Sequence, residues 1–228
     1  MKNLKLPLGI LLLLVFMVEL TYAQDWANLN RYGAENTKLG LPSLSENRIV
    51  FMGNSITEGW GQLSPNFCLG KPYINRGISG QTTPQMLLRF RADVINLKPV
   101  VVVILAGTND IAGNTGPSTL GRIMGNIISM SELAKANGIK VILCSVIPAF
   151  DYPWKPGLKP DKKMGELNEI IKNYADSHGI IYLDYYLSMV DERKGLKDEY
   201  TYDGVHPNKA GYKVMEPLVE QAILKALK

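Results

Sequence analysis

The chain has 228 residues and a formal net charge of +4 at pH 7, a length that suffices for one domain with a substantial core. So mild a charge, without a basic run or a stripe of aromatic residues among basic ones, argues against nucleic acid as a partner. The two histidines and two cysteines are too widely separated for metal-ligand spacing, so we expect no metal site.

The first residues are typical of a secretory signal peptide. A basic start with Lys2 and Lys5 precedes an apolar run at 6–18, and small residues ending at Ala23 suit a cleavage site. The run is shorter than the roughly 20 apolar residues of a comfortable membrane span. We therefore predict a signal peptide at 1–23 and a single exported domain at 24–228, periplasmic or secreted, without stable membrane insertion. An uncleaved N-terminal anchor is the alternative.

The two cysteines, Cys68 and Cys144, would both reach an oxidising compartment, where a disulfide can form. Cys144, however, lies in Val-Ile-Leu-Cys-Ser-Val at 141–146, a pattern typical of a buried strand, and a buried free Cys behaves as a small hydrophobe. The sequence leaves open whether the two sulfurs meet.

Five short apolar runs alternate with longer segments of helical period. The run at 100–105 is apolar on both faces, as expected for a central strand of a parallel sheet covered by helices. The alternation predicts an α/β fold, a three-layer sandwich around a five-stranded parallel sheet. The predicted strands are 48–52, 73–75, 100–106, 140–146 and 180–183, and the predicted helices are 84–97, 118–137, 161–178 and 208–227.

The sequence also predicts two features of the outer layer. Residues 24–46 are expected to form a helix and a loop packed on the outside. Pro217 falls inside the last helical pattern and predicts a kink or a restart there, because proline cannot donate the helical hydrogen bond.

Polar residues follow every predicted strand. In open parallel sheets ligands bind outside the carboxyl ends of the strands, so these residues are expected to share one edge of the sheet. They are Ser55, the segments 77–80, 107–110 and 148–154, and the pair Asp203 and His206.

Ester hydrolysis requires a nucleophile, a base and donors for the oxyanion that develops on the carbonyl oxygen. Ser55 can attack, His206 can accept its proton, and Asp203 can hold the imidazole in the correct tautomer. The donors would be the backbone N–H groups of Ser55 and Gly80 and the side-chain amide of Asn109. Taken singly, Ser55 also suits a helix N-cap, and Asn109 and Asp203 suit turns.

Four sequence blocks resemble the SGNH hydrolases, also called GDSL esterases and lipases. They are Gly-Asn-Ser-Ile at 53–56, Asn-Arg-Gly-Ile-Ser-Gly-Gln-Thr-Thr at 75–83, Gly-Thr-Asn-Asp at 107–110 and Asp-Gly-Val-His-Pro at 203–207. The resemblance covers almost the whole of 24–228 and is nearest to the platelet-activating-factor acetylhydrolase-like and carbohydrate acetylesterase branches.

That resemblance implies a flavodoxin-like fold and a serine esterase without metal or cofactor. It also implies the triad Ser55, Asp203 and His206, with Gly80 and Asn109 in the oxyanion hole. The chain departs from the family in having Gly-Asn-Ser where Gly-Asp-Ser is usual, which affects the hydrogen bonding of the turn at Asn54 rather than the triad.

Several residues outside the triad have either a structural or a functional interpretation. His178 ends a helical run, where it suits the helix dipole, and Asp110 is expected to brace its loop. The loop at 149–156 carries three aromatics, and we expect Tyr152 and Trp154 to contact the substrate unless the loop packs on its own rings. Arg76 could bind an anionic substrate group, with a structural ion pair as the alternative.

The sequence therefore predicts an exported serine esterase that removes short acyl groups, above all acetyl, from a small-molecule or glycan ester. A lysophospholipase or acyl-thioesterase would use the same triad with a longer apolar groove. A non-catalytic sugar-binding domain on the same scaffold is the alternative from another class. The oligomeric state is not predicted.

Overall fold

The computed structural model of the chain describes residues 25–228. Its five strands are β1 (Ile49–Gly53), β2 (Tyr73–Gly77), β3 (Val101–Leu105), β4 (Lys140–Cys144) and β5 (Ile181–Leu183). They form one sheet in the order β2-β1-β3-β4-β5, and all four neighbouring pairs are parallel. This is the flavodoxin-like strand order, so the predicted fold class is confirmed.

Helices cover both faces of the sheet. They are α1 (Gly33–Leu39), α2 (Ser55–Glu58), α3 (Trp60–Leu63), α4 (Thr83–Asp93), α5 (Thr108–Ala112), α6 (Leu120–Ala136), α7 (Asp161–Ser177), α8 (Tyr186–Met189) and α9 (Lys209–Leu227). Short 3-10 turns occupy Pro65–Phe67, Ile95–Leu97 and Asp198–Tyr200.

Alternation along the strands divides the core into two layers. In β1, Val50 and Met52 pack with α4, α6 and α7, whereas Ile49 and Phe51 face the other way, toward α2, α3 and α9. All five residues of β1 are buried, as are all five of β3. Burial on both faces explains the continuous apolar runs of the sequence, because each face of a central strand meets a helical layer.

The predicted elements differ from the structure mainly at their ends. The helix predicted at 84–97 ends at Asp93 and is followed by the separate 3-10 turn. The last helix runs without interruption across Pro217, so the predicted restart is absent. Pro217 and Lys213, whose carbonyl loses its helical donor, are both on the exposed face, where water can satisfy that carbonyl.

The expected outer helix at the start of the domain is α1, which packs near the end of α4. The predicted signal peptide at 1–23 lies outside the described residues. Both cysteines are free, Cys144 buried in β4 and Cys68 half-buried. Within residues 25–228 no helix is long and apolar enough to cross a membrane.

Candidate active site

The turn between β1 and α2 presents Ser55 at the carboxyl edge of the sheet. Gly53 is required before it, since an added Cβ would lie 2.0 Å from Thr57 Oγ1 and 3.0 Å from the Leu105 carbonyl oxygen. Asn54 is the N-cap of α2, and its side-chain oxygen accepts a hydrogen bond from the Ile56 N–H at 3.2 Å. An amide oxygen can therefore cap this turn where the family usually has a carboxylate.

A chain of hydrogen bonds connects Ser55, His206 and Asp203, although Ser55 lies far from the other two residues in the sequence. Ser55 Oγ is 2.9 Å from His206 Nε2, and His206 Nδ1 is 2.7 Å from Asp203 Oδ2. With Asp203 ionised, Nδ1 carries the hydrogen and donates a hydrogen bond to the carboxylate, which leaves Nε2 to accept from the serine hydroxyl. This arrangement can activate a nucleophile.

The loop that carries Asp203 and His206 is built to keep the carboxylate ionised. Asp203 Oδ1 accepts from the backbone N–H groups of Val205 at 2.9 Å and His206 at 2.7 Å. Burial alone would raise the pKa of Asp203, but these bonds and the imidazole contact outweigh it, so that the pKa is lowered from its ordinary value. Thr201 closes the loop by donating its hydroxyl to the His206 carbonyl at 2.7 Å.

The predicted oxyanion donors stand at the ends of three neighbouring strands. Gly80 has φ +75°, a conformation that favours glycine, and the space beside it is open. Asn109 is buried at the start of α5, and its amide donates one N–H to the Gln81 carbonyl at 2.9 Å, which leaves its second N–H for another acceptor. Within residues 25–228 neither the Ser55 N–H nor the Gly80 N–H is a donor in the backbone hydrogen bonds of turns and loops.

Asp110 braces the second and third blocks, as expected from the sequence. Its buried carboxylate accepts from the Thr83 N–H at 3.0 Å and from the Thr83 hydroxyl at 2.5 Å. Burial raises the pKa of Asp110 despite these bonds. Because both oxygens are committed to Thr83, the carboxylate ties α5 to the first turn of α4.

The three residues predicted to contact substrate have different surroundings. Trp154 is half exposed and its ring lies 5.9 Å from the His206 ring. The Tyr152 ring is fully buried and its hydroxyl is hydrogen-bonded to Thr108, so it packs the loop instead of facing a ligand. Arg76 is buried against Tyr32, and its guanidinium forms an ion pair with Glu35 at 3.7 Å, which agrees with the structural alternative.

Tyr202 is a further aromatic residue beside His206, and no sequence motif indicates its position there. Its ring is 64% exposed and lies nearly parallel to the His206 ring, with the centroids 5.8 Å apart. The only signal in the sequence is its place directly before Asp203. His178, by contrast, is the C-cap of α7, and its Nδ1 lies 2.9 Å from the Tyr174 carbonyl oxygen, remote in sequence and contacts from the triad.

No group of three or more His, Cys, Asp or Glu side chains with a metal-binding arrangement occurs within the part of the chain that the structure describes. The polar groups at the carboxyl edge are instead a serine hydroxyl, an imidazole, a carboxylate and N–H donors, an arrangement that suits acyl transfer.

Residues 51–214 match the model of the GDSL-like Lipase/Acylhydrolase family. A GDSL-like lipase of Bacteroides thetaiotaomicron VPI-5482 is similar with 54% identity and a TM-score of 0.86, over 88% of this chain and 98% of that one. A Bacteroides fragilis NCTC 9343 protein to which acylhydrolase activity is ascribed has 54% identity and a TM-score of 0.88, over 90% and 100%.

An acetylxylan esterase of Xylanibacter ruminicola is 28% identical over an alignment 212 residues long, which covers 77% of this chain and 43% of that esterase. The chain thus spans less than half the length of that relative. The family match covers most of the chain and includes all four sequence blocks. The chain therefore belongs to the GDSL-like lipase and acylhydrolase family, the SGNH hydrolases, which hydrolyse carboxylic esters.

Proposed function

We propose that the chain is an exported serine esterase that removes short acyl groups, above all acetyl, from carbohydrates. The observation that carries the proposal is the relay from Ser55 through His206 to Asp203, with contacts of 2.9 and 2.7 Å. The similarity to an acetylxylan esterase supports acetyl as the acyl group and a glycan as the alcohol.

In the first half-reaction Ser55 Oγ attacks the acyl carbonyl carbon while its proton passes to His206 Nε2. The negative charge that forms on the carbonyl oxygen is stabilised by the N–H groups of Ser55, Gly80 and Asn109. When the C–O bond to the sugar breaks, the imidazolium returns the proton to the leaving alkoxide. The product is an acyl ester of Ser55 and a free sugar hydroxyl.

In the second half-reaction water replaces the alcohol. His206 removes a proton from water, and the resulting hydroxide adds to the acyl carbon. When the tetrahedral intermediate collapses, the bond between the acyl carbon and Ser55 Oγ breaks and the imidazolium returns its proton to Ser55 Oγ, which releases the carboxylic acid and regenerates Ser55 and neutral His206. Asp203 stays ionised throughout and stabilises the imidazolium of each step. Its lowered pKa favours that role.

The aromatic rings beside His206 support a sugar as the alcohol. Tyr202 and Trp154 each lie within 6 Å of the imidazole, centroid to centroid, and both rings are about half exposed or more. Exposed aromatic faces at a catalytic site offer the apolar C–H face of a sugar ring a surface to stack on.

The decisive experiment compares the wild type with Ser55→Ala on p-nitrophenyl acetate. We expect turnover by the wild type and a loss of roughly 10⁴-fold or more in a folded Ser55→Ala protein, because no other group replaces the nucleophile. Equal turnover by both proteins would refute the serine esterase.

Acyl preference and sugar recognition can be separated in the same assay. Acetyl esters should react faster than octanoyl esters; rates that rise with chain length would favour the lysophospholipase or thioesterase alternative. Trp154→Ala should raise KM for an acetylated xylo-oligosaccharide and leave p-nitrophenyl acetate hydrolysis near the wild-type rate. An unchanged KM for the oligosaccharide together with slower hydrolysis of p-nitrophenyl acetate would contradict a sugar as the alcohol.

Export is tested by expressing the full chain in a Gram-negative host and determining the mass of the product in each compartment. A protein that begins at Gln24 in the periplasm or medium supports the proposed cleavage. An intact chain in the membrane fraction would support the anchor.

A further inference from the structure

One arginine outside the triad, Arg89 on α4, is completely buried. Its guanidinium pairs with Asp93, with Arg89 Nη1 2.9 Å from Asp93 Oδ2. Taking an ion pair out of water is costly, and the cost is offset only when the remaining donors also find partners. Where those donors point therefore indicates what the buried arginine is for.

The other two arms of the guanidinium reach residues beside the predicted oxyanion donors. Arg89 Nη2 donates to the Gly53 carbonyl oxygen at 2.9 Å, two residues before the nucleophile Ser55. Arg89 Nε donates to Gln81 Oε1 at 2.5 Å, one residue after Gly80. One side chain thus connects the end of β1 with the loop that follows β2.

Gln81 extends this connection to the third donor. Its backbone carbonyl oxygen accepts from the side-chain amide of Asn109 at 2.9 Å. Its side-chain amide donates to the Ala27 carbonyl at 2.8 Å, which fixes the side chain from the opposite side. The three groups predicted to bind the oxyanion are therefore all one or two residues, or one hydrogen bond, from a partner of Arg89.

We propose that Arg89 is a positioning residue for the oxyanion hole: its buried guanidinium sets the relative placement of the Ser55 and Gly80 N–H groups and the Asn109 amide. This role rests on the proposed serine esterase function. Arg89 itself does not touch the reacting atoms, since the Gly53 carbonyl and the Gln81 side chain lie between.

The chemistry of the guanidinium explains why arginine stands here. It is planar and offers donors in fixed directions, so a single group can hold Asp93, Gly53 and Gln81 at set angles. A lysine ammonium is a compact charge on a flexible stem and cannot reach three such acceptors in one plane. Arg89→Lys therefore keeps the charge and removes the geometry.

A second buried arginine offers a matched control at the opposite end of the same strand. Arg48 precedes β1, is 2% exposed, and donates to the carbonyl oxygens of Gly40 at 2.9 Å and Leu97 at 3.0 Å. It is paired with Glu46 at 2.6 Å. Arg48 resembles Arg89 in burial, pairing and carbonyl contacts but holds no residue of the active site.

The experiment compares wild type, Arg89→Lys, Arg48→Lys and Ser55→Ala in the full mature protein. Hydrolysis of p-nitrophenyl acetate gives kcat/KM, and inhibition by phenylboronic acid reports binding of a tetrahedral, negatively charged adduct at the serine. Urea unfolding of each variant measures stability. Parallel changes of kcat/KM and of boronic acid affinity are the signature of a disturbed oxyanion hole, because both depend on the same donors.

We expect Arg89→Lys to lower kcat/KM by about 10- to 100-fold, less than or equal to the loss of one complete donor, and to weaken boronic acid inhibition by a similar factor. Arg48→Lys should unfold at lower urea concentration yet keep kcat/KM within about twofold of wild type in the folded protein. Gln81→Met, which removes the Nε acceptor but keeps the side-chain volume, should resemble Arg89→Lys.

The positioning role is overturned if folded Arg89→Lys keeps wild-type kcat/KM and inhibitor affinity, or if its activity falls only as Arg48→Lys does. If Arg89→Lys does not fold, Gln81→Met decides, and wild-type kinetics in that variant overturn the role. If activity requires Ser55 but Arg89→Lys and Gln81→Met both keep wild-type kinetics, the positioning role is overturned and the serine esterase function is retained. Activity that survives in Ser55→Ala removes the esterase and, with it, the role of Arg89.

Discussion

The two ends of the parallel sheet differ in how many polar side chains are buried there. At the carboxyl end, polar and charged side chains are buried and hydrogen-bonded to one another or to the backbone of neighbouring loops. They include Asn54, Gln81, Thr83, Asn109 and Asp110, each less than 5% exposed. Buried polar groups cost free energy unless they are paired, so their concentration at this end, beside the proposed active site, requires the hydrogen-bond network that connects the loops.

At the amino end, an apolar cavity of about 510 Å³ lies between the starts of β4 and β5 and the end of α9. Ile139, Val141 and Ile180 line it together with lysines, of which Lys140 donates to the Ala226 carbonyl oxygen. Arg48 is a buried charged residue at this end. Apart from its ion pair with Glu46, it donates hydrogen bonds to backbone carbonyls. Substitutions at the two ends should therefore separate activity from stability.

The largest effect expected at the carboxyl end after loss of the nucleophile is that of Asp203→Asn. An Asn amide presents a donor to His206 Nδ1 and favours the wrong tautomer, so kcat should fall by about 10³- to 10⁴-fold with the fold intact. Steady-state kinetics and circular dichroism on the purified variant give the result. Unchanged turnover would remove Asp203 from the triad.

Asn109→Ala removes one oxyanion donor and should lower kcat by about 10²- to 10³-fold while KM changes little, because the amide acts mainly in the transition state. The variant also loses the bond to the Gln81 carbonyl, so unfolding in urea must accompany the kinetics. An effect confined to KM would reassign Asn109 to ground-state binding.

The pH dependence of stability should sharpen the picture of Asp203. Its pKa is lowered in the folded state, so its stabilisation is present above its unfolded pKa of about 3.9 and is lost as pH falls through the folded value. The gap in unfolding free energy between wild type and Asp203→Asn should therefore narrow between pH 6 and about pH 2. A gap that stays constant over this range contradicts the lowered pKa.

The smallest effect is expected at the amino end. Lys140 donates to the Ala226 carbonyl oxygen at 2.5 Å, and Lys140→Met should cost about 1 kcal/mol of unfolding free energy, as for a single part-buried hydrogen bond. Its kcat/KM on p-nitrophenyl acetate should equal that of wild type. A clear loss of activity would break the contrast between the two ends of the sheet.

Much of the site could be predicted because each strand is visible in the sequence as a short apolar run. The apolar run before Ser55 and the Asp-Gly turn before His206 both place polar residues just after a strand or in a loop, and parallel strands end at one edge. Side-chain direction was less predictable. Tyr152 and Trp154 are two residues apart in one loop, yet the first is fully buried and the second half exposed.

The Arg89 connection could not be predicted for a related reason. On the sequence it is a charged residue in an amphipathic helix, a pattern typical of a solvated face. Only the arrival of the Gly53 carbonyl and of Gln81 from two other segments gives its donors partners in the interior. Tyr202 was hidden in the same way, since ring stacking on His206 depends on the path of the loop.

By itself the sequence determined the strand and helix alternation, the common edge of the polar residues and the family, because hydrophobic period and short motifs are properties of local chain segments. Tertiary structure alone decided which side chains face a substrate, that Asn54 can cap the nucleophile turn, and which buried charges support the active site. Those outcomes depend on contacts between segments far apart in the chain, such as the contact between Ser55 and His206, which are 151 positions apart. Burial and pairing of polar groups are settled only when those segments pack together.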